Sequence, residues 1–295
     1  VVWMHQPAGF QYTLNGVAAL CRLRMAVYGL RQSAREWAIT LVSWLISEWQ
    51  FVRSDTDRYL FTLDCERGTL MILLWVDDLF IAHSNEDLRA DFMGSFAQRF
   101  KVKDLGPLSQ ALGASVAQSV SLDTVSFSLR EYIRAAARRF DLHENVAWAD
   151  IPVPVAMARK CVSASVTEND FRACVETYQI IVGVIVFVAS FARPDVAFAA
   201  HFLARFLTRP GEPHVALARR VLGYLSRTDE LAITYRADGA DLSAAFKPLE
   251  SPTNLPHMFA DTDHGVDRSI SGWMFMFASA AVTWAVRAQQ SPSLS

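Results

Sequence analysis

Two adjacent carboxylates, Asp77 and Asp78, lie between two strongly apolar runs in the stretch MILLWVDDLFIAHSN, residues 71–85. Neighbouring like charges repel, yet carboxylates placed together in this way also hold divalent cations such as Mg²⁺. The two apolar arms, GTLMILLWV and LFIAH, predict a β-hairpin whose tight turn carries the pair. Because Asp-Asp is also a good turn dipeptide, spacing alone leaves both a metal site and an ordinary turn open.

The predicted hairpin lies between two predicted helices. Before it, the segment RQSAREWAITLVSWLISEWQF predicts an amphipathic helix of about four turns, because its large apolar residues recur at helical spacing. These residues are Trp37, Leu41, Trp44 and Leu45. A short strand is predicted around RYLFTLD. After the hairpin, SNEDLRADFMGSFAQRF predicts a helix with Ser84 or Asn85 as its N-cap, and KDLGPL ends it.

The rest of the chain predicts a helical middle followed by strands. Residues 128–228 are largely helical in pattern, with Pro and Gly at 210–213 as an interruption. The most apolar segment, Tyr178–Asp195, is predicted to be a core helix, since it falls short of the roughly 20 apolar residues that a membrane span needs. Irregular composition predicts linkers at 150–170 and 237–256. Three further strands are predicted in HMFADTD, SISGWMFMFA and AVTWAV.

Composition limits the classes of function. The chain has 295 residues, 52% of them hydrophobic, and a net charge of −2, which predicts packed cores without an overall basic surface. Its arginines form local clusters that either bind nucleic-acid phosphates or form solvated helix faces. The clusters are Arg22, Arg24, Arg31 and Arg35; Arg134, Arg138 and Arg139; and Arg219, Arg220 and Arg227. The 4 cysteines and 7 histidines lack the spacing of a zinc site or a disulfide framework, so we expect a reducing compartment.

Five segments, in chain order, resemble the polymerase region of copia-type long-terminal-repeat retrotransposons. VWMHQPAGF is similar to that family's VYMxQPxGF, VYGLRQSAREW to LYGLKQAPRxW, and LLWVDDLFIAHSN to its YVDD box. RFKVKDLGPLSQALGASV is similar to the MKDLGxxxxFLG region. Further on, ARPDVAFAAHFLARFLTRPGEPHVALARRVLGYLSRT resembles TRPDIxFAVxxLSRFxxxPxxxHWxAAKRxLRYLKGT. The matches extend over more than 200 residues.

The resemblance implies an RNA-directed DNA polymerase, a reverse transcriptase that works with Mg²⁺. Asp77 and Asp78 would be catalytic metal ligands of two-metal nucleotidyl transfer. The implied partners are an RNA template, a DNA primer and dNTPs, and no membrane. By resemblance alone, copying would take place inside the cell, in cytoplasmic particles or in the nucleus.

The resemblance also implies residues that contact nucleic acid or nucleotide. Arg31, Gln32 and Arg35 would lie on the helix that supports the template and the incoming nucleotide. A helix carrying basic residues beside an acidic hairpin suits this role, because it can hold phosphates against the metals. Leu112 and Gly113 would fall in the primer grip.

The carboxy-terminal segment resembles the beginning of the family's ribonuclease H domain. MFADTDHGVDRSISGW is similar to YSDADWAGDxxxRxSTSGY, and VTWAVRAQQ to VSWSSKKQ. Asp261 would then be the first catalytic, metal-binding aspartate of that domain. Local pattern alone is equally consistent with a turn aspartate beside Asp263.

These similarities predict an α+β fold in three parts. Residues 1–150 would form the reverse transcriptase palm and fingers, with a palm-like antiparallel sheet and packed helices. Residues 151–250 would form a mainly helical thumb or connection. Residues 251–295 would form the amino-terminal part of a ribonuclease H-like domain, an incomplete mixed sheet.

The chain also departs from the family pattern. The family's third polymerase carboxylate precedes the VYMxQPxGF segment, and its ribonuclease H glutamate follows QQSPSLS, so we expect both sites to lack a ligand. The start VVWMHQPAGF has neither an initiating Met nor a signal pattern, which predicts the middle of a longer protein. Trp75 replaces the Tyr of the YVDD box, Ala34 replaces a Pro and His264 replaces a Trp. Trp37 takes the family's Trp position and is predicted to pack rather than catalyse.

Three functional hypotheses follow. The first is a polyprotein fragment whose family activity is template-directed DNA synthesis and which is inactive, or nearly so, in isolation. The second is a relic that binds nucleic acid through its arginine clusters without catalysis, and it predicts binding that weakens steeply with salt. The third is a structural or interaction protein in which the acidic hairpin has no catalytic meaning.

Overall fold

The computed structural model describes residues 2–27, 29–142, 151–237, 256–262 and 269–289. The chain divides into two compact units, residues 1–106 and 107–295. The domain boundaries predicted at 150 and 250 fall outside the described residues and stay predictions. The described elements are helices and antiparallel sheets, so the predicted α+β class is confirmed.

The first unit contains eight described strands and two described helices. The strands are β1 (Trp3–His5), β2 (Thr13–Leu14), β3 (Val17–Ala18), β4 (Leu20–Arg22), β5 (Val52–Arg53), β6 (Leu60–Cys65), β7 (Gly68–Trp75) and β8 (Asp78–His83). The helices are α1 (Ser33–Trp49) and α2 (Glu86–Arg99). β1 pairs with β4 and β2 with β3, while β5, β6, β7 and β8 form one antiparallel sheet in that order.

The four-stranded sheet has one covered face and one open face. In β7, Leu70, Ile72 and Leu74 are buried and the large side chains between them are exposed, which is the period-2 pattern of a half-buried strand. The buried face packs with residues of both helices, such as Leu45 and Phe92, in one hydrophobic core. The predicted order of helix, strand, acidic hairpin and helix is therefore confirmed.

The caps of α2 explain where that helix begins. Asn85 is the N-cap, and its side-chain oxygen accepts a hydrogen bond from the Leu88 N–H at 2.9 Å. Ser84, the other candidate cap, instead accepts a bond from the Thr69 N–H at 2.8 Å and so belongs to the hairpin. The helix begins where Asn85 satisfies an otherwise unpaired N–H.

The QPAGF segment forms a loop that the Gln6 side chain holds together. Its Nε2 donates to the carbonyls of Tyr12, at 2.7 Å, and Ala19, while its Oε1 accepts from the Tyr12 N–H. One amide side chain thus satisfies three main-chain groups. This gives the Gln of the family-like QPxGF segment a local structural role.

The second unit contains seven described strands and five described α-helices. The strands are β9 (Gln110–Ala111), β10 (Ala114–Gln118), β11 (Thr124–Ser128), β12 (Ile233–Arg236), β13 (His257–Thr262), β14 (Ile270–Phe277) and β15 (Ala280–Ala288). The helices are α3 (Arg130–Arg139), α4 (Val155–Val162), α5 (Glu168–Phe191), α6 (Ala197–Ala204) and α7 (Glu212–Arg227), with a 3₁₀ turn at Pro194–Val196. One antiparallel sheet has the order β12-β11-β10-β9, and the other β13-β14-β15.

Helix α5 forms the centre of the second unit. By length and composition it is apolar enough to cross a membrane, but Tyr178, Ile181 and Ile185 are fully buried against the surrounding helices. The Trp284 indole N–H of β15 also donates to the Ala189 carbonyl of α5 at 2.7 Å. The prediction of a core helix in this segment is therefore confirmed.

Several predictions for the second unit need correction. The linker predicted at 150–170 contains α4, whose Cys161 is buried, so the prediction is wrong over those residues. The strands β9 to β12 were not predicted at all. The last three described strands, β13 to β15, pair antiparallel, and the predicted mixed, ribonuclease H-like sheet stays a prediction. Nearly all of the second predicted linker, 237–256, lies outside the described residues, as does His264.

Candidate active site

The acidic pair lies at a two-residue hairpin turn, with Asp77 in the turn and Asp78 as the first residue of β8. Trp75 and Asp78 are paired in register, so Val76 and Asp77 connect β7 to β8. Val76 has a φ of 56° and Asp77 has a negative φ, the sign pattern of a type II′ turn. Glycine is favoured at the first position of such a turn, and a β-branched residue there is a strained outlier. The strain lies in the residue that directly precedes Asp77.

Helix α1 holds this strained turn. The indole N–H of Trp37 donates a hydrogen bond to the Val76 carbonyl at 3.1 Å. The ring also packs edge-on against Phe100, with centroids 5.4 Å apart. Trp37 was predicted to pack, and it does, but its bond to the turn was not anticipated. A hydrogen-bond acceptor for Trp37 could have been expected from the sequence, because a partly buried indole N–H usually has one.

Both carboxylates of the pair are exposed. Asp78 faces Trp75 across the strand pair, and cross-strand partners point to the same side of a sheet. That side is the open face, where the side chains of Met71, Leu73 and Trp75 are 40%, 38% and 53% exposed. The carboxylates therefore lie at the edge of an accessible apolar surface.

Carboxylates are suitable ligands for a hard divalent cation, and two of them are available at this turn. Among residues 2–27, 29–142, 151–237, 256–262 and 269–289, no group of three or more His, Cys, Asp or Glu side chains is arranged to hold a metal ion. Within that part of the chain no such group contains Asp77 and Asp78.

Three residues predicted to contact template or nucleotide lie at the start of α1. Arg31 and Gln32 precede the helix, with Gln32 as its N-cap, and only Arg35 lies within it. All three are exposed, and their side chains have no hydrogen bond or ion pair with any described residue. Arg35 and Trp37 are two residues apart and so occupy different helix faces. Trp37 ties this end of α1 to the acidic turn.

Leu112 and Gly113 form another two-residue turn, in the second unit. Ala111 pairs with Ala114, and both turn residues have positive φ, 52° at Leu112 and 84° at Gly113. This is the type I′ pattern. Gly113 suits it, whereas Leu112 is an apolar residue in a left-handed conformation with 41% of its surface exposed. Both residues lie at the tip of the hairpin.

Asp261 lies in β13, opposite Gly272 of β14. Its Oδ1 accepts a hydrogen bond from the Thr262 N–H at 2.8 Å, which orients an otherwise exposed carboxylate. The residue after Asp261, Thr262, has its hydroxyl 3.2 Å from the Ser271 hydroxyl. The Ser271 hydroxyl also accepts a hydrogen bond from the Gln289 side-chain amide at 2.9 Å. Asp263 lies outside the described residues.

Comparison with known proteins gives one family match. Residues 1–154 match the family model described as reverse transcriptase (RNA-dependent DNA polymerase). The match covers the acidic hairpin, the start of α1 and the Leu112-Gly113 turn. No solved structure matches the chain.

Similar proteins include transposon polyproteins. The chain is 27% identical to the retrovirus-related Pol polyprotein from transposon TNT 1-94 of Nicotiana tabacum, over 100% of this chain and 21% of that protein. It is 28% identical to the corresponding polyprotein from transposon RE1 of Arabidopsis thaliana, over 98% of this chain and 18% of that protein. The putative transposon Ty5-1 protein of Saccharomyces cerevisiae is 27% identical over 96% of this chain and 86% of its own length. The chain thus spans about a fifth of the two plant polyproteins.

Proposed function

Because the chain belongs to the reverse transcriptase (RNA-dependent DNA polymerase) family of copia-type retrotransposon polyproteins, we propose that its acidic hairpin is the metal-binding part of a template-directed DNA polymerase site. One observation carries the proposal. Asp77 lies in, and Asp78 directly follows, a two-residue turn whose strained residue, Val76, is held by Trp37 of α1. A turn fixed from two elements keeps adjacent carboxylates in place at the edge of a packed sheet.

The donor set fits Mg²⁺. This ion binds proteins through one or two carboxylates and completes its shell with water and substrate phosphates, and the exposed pair leaves room for both. When bound, Mg²⁺ would stabilise negative charge on the attacking 3′ oxygen and on the leaving pyrophosphate. Asp77 and Asp78 hold the cation, and Trp37 keeps their turn in one conformation.

The surroundings of the pair support nucleic acid and dNTP as substrates. The open face beside Asp78 presents Trp75, which offers an aromatic surface to a sugar or base. The unengaged side chains of Arg31, Gln32 and Arg35 can donate hydrogen bonds to phosphate oxygens. In this proposal they bind the template or the triphosphate, and Leu112 and Gly113 contact the primer strand.

We further propose that the isolated chain makes little or no DNA. Two-metal phosphoryl transfer uses several carboxylates, and within the described residues no third one joins Asp77 and Asp78. The same reasoning applies to Asp261. Its place in an antiparallel sheet supports the start of a ribonuclease H-like domain, which we expect to cleave nothing in isolation. The alternative is a relic that binds nucleic acid without catalysis.

The test measures binding and synthesis separately. Mn²⁺, which reports through water-proton relaxation, is titrated in the presence of a dNTP into the chain and into the variants Asp77→Asn and Asp78→Asn. Glu66→Gln is the matched control, because it removes one exposed carboxylate from the β6–β7 turn, at the other end of the same sheet. Each hairpin variant is expected to bind Mn²⁺ at least about tenfold more weakly, since even outer-shell ligand partners have effects of that size. The control should bind like the parent chain.

Primer extension on a primed RNA completes the test. We expect synthesis at background level from the parent chain. Mg²⁺-dependent synthesis that Asp77→Asn abolishes would overturn the proposed inactivity and leave the site assignment standing. Equal Mn²⁺ affinity in all four proteins would overturn the metal site.

A further inference from the structure

Two arginine clusters that are far apart in the sequence come together in the second unit. Arg134 of α3 donates through Nε to Asp229, two residues after the end of α7, at 2.5 Å. At the other end of α3, Arg219 of α7 donates to the Phe140 carbonyl at 3.4 Å. The two helices therefore run antiparallel. Between them lies a cavity of about 300 Å³ lined by Arg134, Arg138, Ser226 and Asp229, called the α3–α7 cavity below.

The acidic group of this cavity is already neutralised. Asp229 is only 7% exposed and its carboxylate accepts the Arg134 Nε–H, while Arg130 Nε lies 3.9 Å away. At the rim, Glu230 accepts a hydrogen bond from Arg130. With Glu131, which lies 3.7 Å from Arg134, three carboxylates surround Arg130 and Arg134, and the nearby Arg138 balances the third charge. An incoming anion would meet little uncompensated negative charge within the cavity.

The cavity has N–H and O–H donors that form no hydrogen bond with a described residue, although the Arg134 donors lie in long ion pairs. Arg134 Nη1 and Nη2 lie 3.7 and 4.0 Å from the carboxylates of Glu131 and Glu230, beyond hydrogen-bond distance. Within the part of the chain that the structure describes, the side chains of Arg138 and Ser226 have no hydrogen bond or ion pair. Arg134 and Arg138 are one helical turn apart and so share a face. Two guanidinium groups and a hydroxyl therefore face one space.

We propose that the α3–α7 cavity binds a phosphodiester group of a nucleic-acid backbone. A phosphate offers several acceptor oxygens, and guanidinium groups match it with paired N–H donors. Arg134 is oriented by Asp229, so it loses little freedom on binding, while Arg138 supplies a guanidinium group that forms no ion pair with a described residue. The choice of nucleic acid rests on the proposed polymerase function, and the cavity adds a contact that is remote in sequence from the acidic hairpin.

The test is a salt series with a defined probe. Binding of a fluorescein-labelled RNA–DNA hybrid to the full chain is followed by anisotropy between about 50 and 200 mM salt, with EDTA present. The variants are Arg138→Gln, Arg138→Lys and Ser226→Ala. Arg134 is left unchanged because its loss would leave the buried Asp229 with only the more distant Arg130 as partner. The matched control is Arg172→Gln, which removes one positive charge from an exposed pair with Glu168 on α5.

Arg138→Gln is expected to weaken binding about tenfold and to reduce the slope of log K against log salt by about one. Arg138→Lys keeps the charge without the paired donors, so its affinity for the hybrid should lie between those of the parent chain and Arg138→Gln. Ser226→Ala should weaken binding several-fold. Arg172→Gln should stay within about twofold of the parent chain. Arg138 is exposed and unpaired, so its replacement should leave the thermal midpoint unchanged.

Three outcomes would overturn the cavity as a phosphate site: equal binding by Arg138→Gln and Arg172→Gln, no binding of the hybrid by the parent chain, or displacement of the hybrid by poly-glutamate as readily as by unlabelled hybrid. Divalent cations are absent, so the result does not depend on Asp77 and Asp78. If Mn²⁺ binding is normal and Arg138→Gln does not change hybrid binding, the phosphate site in the cavity is therefore refuted and the metal site is not. Failure of the Mn²⁺ test would leave the cavity standing.

Discussion

The indole N–H of Trp37 donates a hydrogen bond to the main-chain carbonyl of Val76 at 3.1 Å, across 39 residues of sequence. The acceptor is the one residue of the acidic turn with a positive φ. A strained conformation persists only where the surroundings specify it, and here one side chain of α1 contributes to that specification. Helix and hairpin are thereby linked at the point from which Asp77 and Asp78 project.

Trp37→Phe should remove this link while keeping most of the ring packing. We expect a loss of about 1 kcal/mol in the free energy of unfolding, the usual contribution of one hydrogen bond. The control is Trp49→Phe, whose indole donates to Ser95 at 3.1 Å, away from the hairpin. Urea unfolding should give similar losses for both variants. Only Trp37→Phe should weaken Mn²⁺ binding, and equal Mn²⁺ affinity in the two variants would show that Trp37 has no positioning role.

Leu112→Asn should stabilise the second unit. Leu112 has a φ of 52°, and a left-handed conformation costs an ordinary residue about 1 kcal/mol more than it costs Asn. Leu122→Asn is the comparison, since Leu122 has a φ of 58° and is 71% exposed in another turn. Both variants should raise the urea midpoint. If Leu112 contacts a primer strand, only its variant will also weaken hybrid binding, and parallel behaviour in both assays would refute that contact.

Some strands of the fold could be predicted from the sequence and others could not. The acidic hairpin was predictable because two apolar runs, which form β7 and β8, meet directly at the acidic pair. The strands β11 and β12 were not, because each is short and they pair across a long stretch of chain, where the Ser126 and Thr234 hydroxyls meet at 2.8 Å. Short strands carry little periodicity of their own, and non-local pairing leaves no local pattern.

The candidate sites, too, could be predicted from the sequence only in part. The residue types of Asp77 and Asp78, and their position at a turn, follow from the local sequence. The Trp37 bond and the α3–α7 cavity depend on tertiary contacts, since Arg134 and Asp229 are 95 residues apart. Sequence identified the arginine clusters, but only the packing of α3 on α7 distinguishes a shared cavity from two solvated helix faces.

His214 should make stability fall at acidic pH. Its Nδ1 accepts from the Gly211 N–H at 3.0 Å and its Nε2 donates to the Cys161 carbonyl at 3.1 Å, so the neutral ring is fully paired. Burial lowers the pKa of His214 below its usual 6.5. The unfolded chain therefore binds a proton at a higher pH than the folded chain does. The stabilisation is complete above about pH 6.5 and is lost as the pH falls from there through the folded pKa.

The measurement is the free energy of unfolding in urea at several pH values between about 7.5 and 5. His214→Asn should lower stability at neutral pH and flatten the decline on acidification. The other groups near His214 do not titrate here, because burial raises the pKa of both the Cys161 thiol and the Tyr178 hydroxyl. Burial also lowers the pKa of His201, so His201→Asn must be measured in parallel. An unchanged pH slope in His214→Asn would contradict the assignment.

Arg193 should be the most costly arginine to replace. It is 2% exposed and donates to both carboxylate oxygens of Asp195, at 2.8 and 2.7 Å, and to the carbonyl and hydroxyl of Thr228, at 2.8 and 2.6 Å. Tyr224 adds a hydrogen bond to Asp195 at 2.9 Å and lies under the guanidinium group. The network joins the end of α5 to the end of α7.

Arg193→Met should cost about 3 kcal/mol of unfolding free energy, because it leaves the Thr228 carbonyl unpaired and leaves Asp195, whose side chain is 33% exposed, with Tyr224 as its remaining side-chain partner. Arg172→Met, which breaks an exposed pair with Glu168, should cost less than about 1 kcal/mol. Since uncompensated charge is the cause, adding Asp195→Asn to Arg193→Met should restore part of the loss. If the double variant is as unstable as the single one, the cost lies in packing and lost hydrogen bonds, and the charge explanation is wrong.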